Sequence, residues 1–419
     1  MLVAHAGEGM FVNKKRAREL MDQADVDALV VTMPRTIRYF TGYWSSGDEL
    51  FREYMVSPGA GSNRLPTYGV YPRDGQPALV VSPMYAVNAV DIWVTDLYVY
   101  GSAIFNKGRR ELGNFKGVES IYGALAASRN PPDADAALVS ALRDRGLTSG
   151  RLGIEHDGIG VHAFDQLRGR LPKASVLDAT NLVRLIRMVK TEEEIQLLKT
   201  AAEITESAAM VCFSSAMPGA SVKEIARIFK SMVAARGAEV DHVAFGYRGL
   251  GLAPEADWRL AKEVLFADFG CTYSGYFSDT GFTLAVENDG IPGAYETLRS
   301  AVLAGSRAMR SGVSASTVQA SMQKQMDDSG LDSFPHGHGL GLEIRDYPIL
   351  VPDNGLRIRD DFVDISSDLV IEPNMVLNLE GSLWFPGVAS LNIEQTFLMS
   401  ESDAQPLLPQ DRSQPIRMS

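Results

Sequence analysis

Residues 266–286 read FADFGCTYSGYFSDTGFTLAV. Two apolar, β-prone runs flank the pair Ser274-Gly275, the pattern of a hairpin. Asp268 and Asp279 stand eleven residues apart, one on each arm. An odd spacing does not by itself place them on one face; the pairing register decides that. Two carboxylates on so apolar a hairpin cannot both stay ionised at low cost unless a cation or a base sits beside them. Cys271 lies three residues after Asp268 and reads as a small buried residue rather than a catalytic thiol.

Further along, residues 334–348 read FPHGHGLGLEIRDYP, with glycines on both sides of His338 that let backbone and ring approach a ligand closely. The runs VIEPNMVLNLEGSLW (370–384) and LNIEQTFLM (391–399) each set a glutamate, Glu380 and Glu394, inside an apolar strand-like segment. A glutamate in such a run is unusual unless it is paired or metal-bound. A single one reads best as a salt bridge or a solvated strand face. Five such residues, each in a glycine- or strand-rich frame, read instead as an oxygen-rich metal site with one imidazole. That donor set suits Mn, Fe, Co or Zn.

The region around these motifs is repeated. Residues 219–237 (GASVKEIARIFKSMVAARG) and 312–330 (GVSASTVQASMQKQMDDSG) both run glycine, one residue, serine, helix, glycine. Ser221 and Ser314 are candidate N-caps, and a helix precedes each unit (201–217 and 294–310). The pattern implies two copies of a helix–helix–strand–strand unit offset by 93 residues. The second domain opens at about LVRLIRMVKTEEEIQLLKTAAEI, where Thr191 and Glu194 form a capping box. Before it, KKRARELMDQADVDALVVTMP reads as an amphipathic helix followed by a buried strand at Ala28–Thr32. The runs YGVYP, PALVVS, LYVYG and RLGIEHDG read as further strands, with helical stretches such as DADAALVSALRDRG between them. Strand–helix alternation implies an α/β domain with an open sheet. The expected division is 1–182 and 183–419. The tail after Pro406 is polar and expected to be loosely held.

The chain has 419 residues, 45% hydrophobic and 22% charged, with a formal net charge of -12. The acidic balance argues against nucleic acid or an anionic membrane as partner. Two cysteines form no disulfide framework. The N-terminus lacks a signal pattern, and no stretch approaches a membrane span, so the expected location is the cytoplasm.

Taken together, these motifs resemble the methionine aminopeptidase/prolidase/creatinase superfamily of pita-bread metallohydrolases. The family pattern is Asp in an Asp-x-Gly turn, then Asp in Ser-Asp-x-Thr-Arg-Thr, His in Gly-His-Gly-(Ile/Leu)-Gly, Glu after Glu-Pro-Gly-Met-Val, and a last Glu in a strand. It falls on Asp268, Asp279, His338, Glu380 and Glu394. The stretches DALVVTMPRTIRYFTGY and LIRMVKTEEEI resemble the two-domain prolidase/creatinase branch. The resemblance implies an N-terminal creatinase/prolidase-type α/β domain and a C-terminal, internally duplicated pita-bread (α+β) domain. It also implies two divalent metal ions, manganese foremost, with Fe, Co or Zn as alternatives. The implied activity is hydrolysis of a C–N bond in a dipeptide of Xaa-Pro type, with Glu380 shuttling a proton. It implies a homodimer as well, in which the loop Arg35–Trp44, with Arg38, Tyr39 and Trp44, contacts the substrate.

Four departures qualify this. Arg345 stands where a second histidine is expected, seven residues after His338. The stretch YRGLGLAPEADWRLAKEV before Asp268 holds no histidine, and His242 lies too far upstream unless the loop is longer. The Thr-Arg-Thr run is Thr280-Gly281-Phe282-Thr283, and EPGM has become Glu372-Pro373-Asn374-Met375. Arg345 offers a planar fork for a carboxylate or oxyanion or else pairs with Asp346 or a surface acid. His336 is a further candidate for substrate contact. The departures raise rival readings: a non-peptidase hydrolase of a small nitrogenous osmolyte or amide (ectoine hydrolase- or creatinase-like), a lyase, or a binding protein retired from catalysis.

Overall fold

The computed structural model describes residues 11–45, 65–90, 92–101, 119–126, 130–246, 258–287 and 291–418. The chain divides into two compact units, residues 1–187 with 358–365, and residues 188–357 with 366–419.

Among the described residues, the first unit is built on six strands: β1 (Ala28–Val31), β2 (Tyr68–Pro72), β3 (Ala78–Val81), β4 (Asp96–Val99), β5 (Arg151–Ile154) and β6 (Ser175–Asp178), in the order β4-β3-β2-β1-β5-β6. β2 pairs antiparallel with both neighbours, and the remaining pairings are parallel. β1 and β3 are both ALVV and buried throughout, as central strands covered on two faces should be. The helix Lys14–Ala24 is capped by the Asn13 side chain and Ala134–Asp144 by Asp133.

The segment Arg35–Trp44, expected as a loop, is helical from Pro34 to Thr41. Its aromatic and β-branched content hid the helix, but Pro34 in the first turn and Gly42 at the C-cap are the signals that mark it. Buried Glu155 closes the N-terminal end. Its carboxylate accepts from the Thr32 and Met33 amides at 2.8 and 2.9 Å and from the Thr36 hydroxyl at 2.6 Å.

The second unit holds β7 (Glu239–Gly246), β8 (Glu263–Tyr273), β9 (Tyr276–Val286), β10 (His336–Gly339) and β11 (Asp346–Leu350). After the short pair β12 (Arg357–Arg359) and β13 (Asp364–Ser366), most of which belongs to the first unit, come β14 (Val376–Phe385), β15 (Ala389–Met399), β16 (Ala404–Pro406) and β17 (Ile416–Met418). Its sheet runs β11-β10-β14-β15-β8-β9-β17, with β7 also on β8 and β16 on β15. The helices Glu192–Phe213 and Val222–Ala235 pack on the β7–β9 part, and Pro292–Ala308 and Ala315–Ser329 pack on the β10–β15 part.

The internal duplication extends to the backbone hydrogen bonds. The Gly219 and Val222 amides donate to the Leu260 and Trp258 carbonyls. At the equivalent places the Gly312 and Ala315 amides donate to Ile371 and Leu369. Ser221 and Ser314 each also form an isolated bridge, to Arg259 and Val370. Ser314 caps its helix with its side chain; Ser221 does not.

The tail is not loosely held. β17 pairs parallel with Leu284–Val286 of β9, and the Tyr295 hydroxyl donates to the carbonyls of Arg412 and Gln414. Composition alone pointed to a free tail, whereas the exposed edge of β9 supplies a template for one more strand.

The capping box at Thr191 and Glu194 forms as expected. Glu194 is buried, its other oxygen accepts from the Tyr276 hydroxyl at 3.1 Å, and burial pushes its carboxyl up to about 8 despite Lys190. An unfolded chain ionises this group near 4.5. Unfolding at intermediate pH therefore releases a proton. The associated stability is complete below pH 4.5, declines as pH rises, and is gone above about 8. The Tm of Glu194→Gln, compared with the parent from pH 5 to 9, should lack that decline. Parallel curves would overturn the assignment.

Candidate metal centre

The hairpin register settles the face. Asp268 pairs with Gly281 and Asp279 with Gly270, so the two aspartates are offset by two residues and share one side of the sheet. The other side carries Leu265, Ala267, Phe269 and Cys271, packed with Phe213, Phe229, Phe245 and Phe282 beneath the helices. Cys271 is fully buried in that core, and its thiol donates to the Ala201 carbonyl.

The glycines opposite the aspartates are required by space. A Cβ at Gly270 would lie 2.3 Å from the His242 ring, and one at Gly281 would lie 2.7 Å from Glu394 Cγ. Each glycine lets a neighbouring strand's side chain lean over the hairpin.

The second half of the domain completes the cluster. Across β10, β14 and β15 the register sets His336, Glu380 and Glu394 in one row, with His338, Asn378 and Thr396 in the next alternate row. All therefore face the same way. His338 Nε2 lies 3.4 Å from Asp279 Oδ2 and 3.8 Å from Glu380 Oε1. The structure thus brings the sequence candidates on both halves into one cluster.

His242 belongs to it too, contrary to the expectation from chain distance. Its Nε2 is 2.9 Å from Asp268 Oδ1 and 3.4 Å from Asp279 Oδ1, and its Nδ1 is 2.8 Å from Asp241. Strand pairing, not proximity in sequence, puts it there: His242 lies opposite Gly270. The stretch 247–257 between β7 and Asp268 is outside the described residues.

Asn378 and Asn392, which the sequence reading passed over, each donate an amide to one oxygen of Glu394, at 3.3 and 2.9 Å. Both are buried polar residues in otherwise apolar strands. That pattern was their available signal.

The electrostatics describe an anionic cluster short of positive charge. Burial, then the charges of Asp268, Asp279 and Glu380, hold Glu394 well above the usual carboxylate range. Burial and Asp279 likewise raise Asp268. Burial works against Asp279 as well, but His242 and His338 outweigh it and hold its carboxyl well below the ordinary value. Glu380, also buried, is held low by the His336 hydrogen bond and by the charges of His336, His338 and Arg345. Burial would depress His242, yet its bonds to Asp241, Asp268 and Asp279 push it up to about 12.

His338 supplies the most direct test of fit to a metal. Its Nδ1 faces the Gly339 carbonyl at 3.0 Å and donates there, so Nε2 offers a lone pair once a cation replaces the proton through which the ring holds Asp279 and Glu380 low. That Nε2 is buried and has no hydrogen-bond partner among the described residues. A lone pair aimed at carboxylates is satisfied by a cation. One ligand atom each from His242, Asp268 and Asp279 also falls within 4.8 Å of the others. The donor set fits divalent metal.

Arg345 does not pair with Asp346, whose carboxylate instead meets the buried Lys190 at 3.3 Å. Arg345 Nη2 donates to Glu380 Oε1 at 2.8 Å, and His336 Nε2 lies 2.7 Å from the same oxygen. In the first unit, Trp44 is partly exposed with the Arg38 guanidinium 5.4 Å from its ring. Tyr39 is not available as a ligand contact from this chain's surface. It is fully buried, and its hydroxyl accepts from the Asn13 amide at 3.0 Å.

Residues 196–401 match Metallopeptidase family M24, and residues 14–189 match the creatinase/prolidase N-terminal domain. The chain belongs to the M24 metallopeptidases, in the two-domain prolidase/creatinase branch. The Xaa-Pro dipeptidase of Lactobacillus helveticus is 25% identical to this M24 chain over 396 residues, 91% of this chain and 93% of that one. A probable dipeptidase of Mycobacterium tuberculosis is 30% identical over 237 residues, 54% of this chain and 60% of that one. Among solved structures, a dipeptidase from Pyrococcus horikoshii OT3 superposes with TM-score 0.72 at 16% identity, over 97% of this chain and 99% of that one. The prolidase from Pyrococcus furiosus gives 0.64 at 20% identity, over 94% and 99%. These structures bear out the fold: a creatinase-type α/β unit followed by a duplicated pita-bread unit.

Proposed function

We propose that this M24 chain is a metal-dependent hydrolase that cleaves the amide bond of a small dipeptide of Xaa-Pro type. The observation that carries the reading is the convergence of Asp268, Asp279, His338, Glu380 and Glu394 on one sheet face, with an orphaned imidazole nitrogen among them. These five would hold two divalent ions, manganese foremost. When bound, such ions supply Lewis acidity that activates water and polarises a carbonyl. In this reading Glu380 would hold a proton and return it to the leaving amine. His336 and Arg345 fix its Oε1, and Asn378 and Asn392 orient Glu394.

Arg345 presents a permanent positive charge beside Glu380, at half exposure. In this reading it binds the carboxylate of the dipeptide. Arg345→Met should then raise KM about tenfold to a hundredfold, the worth of one hydrogen bond to a charged group. A change confined to kcat would instead tie Arg345 to the developing oxyanion or to Glu380. A second reading, hydrolysis of a small nitrogenous osmolyte or amide, follows from the absence of the family pattern's histidine at position 345.

The chain would act in the cytoplasm as a homodimer, with the partner's Trp44 region closing over the site. No helix among the described residues is long and apolar enough to cross a membrane. If Trp44→Ala leaves both KM and kcat unchanged, the lid assignment fails. The deciding experiment is elemental analysis of the purified protein with Gly-Pro and Ala-Pro assays, with and without added Mn²⁺. Two metals and rapid turnover support a prolidase. Bound metal without dipeptide turnover favours the second reading. Absence of metal under every loading condition would sink both.

A further inference from the structure

The C-terminal tail reaches the underside of the hairpin that carries Asp279. Arg412 is nine-tenths buried, and its Nη2 ion-pairs with Glu206 on the helix Glu192–Phe213. The same nitrogen lies 3.2 Å from the hydroxyl of Thr280, the residue after Asp279. Thr280 in turn donates to Glu206 Oε1 at 2.9 Å, and Gln410 donates its amide to that same oxygen. The guanidinium carbon stands 4.4 Å from the ring centroid of Phe282. Counted from Asp279, position 282 is where the Ser-Asp-x-Thr-Arg-Thr pattern has its arginine. The tail thus brings a guanidinium, from 130 residues away, to a place where the strand itself has none.

Such an arrangement is costly unless it fixes geometry. A buried ion pair rarely adds stability over a well-packed apolar pair of the same volume. Here it locks three elements at one point: the tail, the long helix and β9. β17 holds the far end of the same strand, and Tyr295 holds the tail backbone on either side of Ser413. Asp279 lies one residue from the locked Thr280, on the opposite face.

We propose that Arg412 is a positioning residue for the metal centre, acting through Thr280 and Glu206 to set the carboxylate of Asp279. The inference rests on the metal reading above. The ionic lock orients β9 from behind, as outer partners orient a ligand from the side.

The test uses the full chain. Mn²⁺ affinity is measured by calorimetric titration, and Co²⁺ is used as a spectroscopic probe of ligand geometry. Arg412→Met should weaken Mn²⁺ binding about 10–100-fold, the usual cost of losing an outer-sphere partner, and shift the Co²⁺ d–d bands. Arg412→Lys, which keeps the charge, should recover most of the affinity. Glu206→Gln, which keeps an acceptor for Thr280, should fall between them. Unchanged affinity and unchanged Co²⁺ spectrum in a folded Arg412→Met protein would overturn the proposal. If that variant fails to fold, wild-type affinity in Glu206→Gln would overturn it. A parent protein that binds no metal at all would defeat the metal reading instead.

Discussion

Asp279→Ala is expected to abolish metal loading and turnover together. Asp279 is the hub of the cluster: one oxygen lies 3.4 Å from His242 Nε2 and the other 3.4 Å from His338 Nε2. Its carboxyl is held toward the ionised form by His242 and His338, against the effect of burial. Removing it takes away the one carboxylate that both imidazoles share and leaves Asp268 as the hairpin's remaining donor to a cation. Loss of an outer partner alone costs about 10–100-fold in metal affinity, so loss of this one should cost more than about a hundredfold. Elemental analysis after Mn²⁺ loading and gel filtration checks the first effect, and a dipeptide assay checks the second. A retained circular dichroism spectrum separates both from unfolding. Full activity in this variant would refute the assignment.

Glu380→Gln should separate binding from chemistry. Glutamine keeps the size of the side chain and one oxygen for a cation, and it keeps an acceptor for Arg345 and His336. It cannot take up and return a proton. General acid–base groups contribute about 10²–10⁴-fold, so kcat should fall by that factor while KM moves little. Metal content of the variant must be measured in the same samples. If kcat per bound metal stays within about threefold of the parent, Glu380 is not the proton carrier and another group must be sought.

The sequence marked the five candidate donors because each sits in a local frame that announces it. Asp268 and Asp279 flank a hairpin turn, His338 stands between glycines, and each glutamate interrupts an apolar strand. Such frames are readable within about ten residues. What escaped was set by pairing across distance. His242 was set aside by counting along the chain, yet its strand partner is Gly270, next but one to Asp268. Asn378 was not singled out because only the β14–β15 register brings it to Glu394, whereas Asn392 stands two residues before Glu394 on the same strand. The tail read as polar and free because composition does not reveal that β9 would otherwise end as an open edge. Tyr39 was read as part of a loop, whereas it lies in the helix from Pro34 to Thr41 and is buried.

The duplication has a historical consequence. The first copy contributes His242, Asp268 and Asp279, and the second contributes His338, Glu380 and Glu394. Neither set alone offers more than two carboxylates. The ancestral unit, taken once, therefore had at most half of this centre unless two molecules met face to face. Fusion made that meeting permanent and ended the equivalence of the copies. One became the aspartate bank and the other the glutamate bank. A change to the donors of either copy is expected to reach those of the other, because Asp279 of the first meets His338 of the second at 3.4 Å.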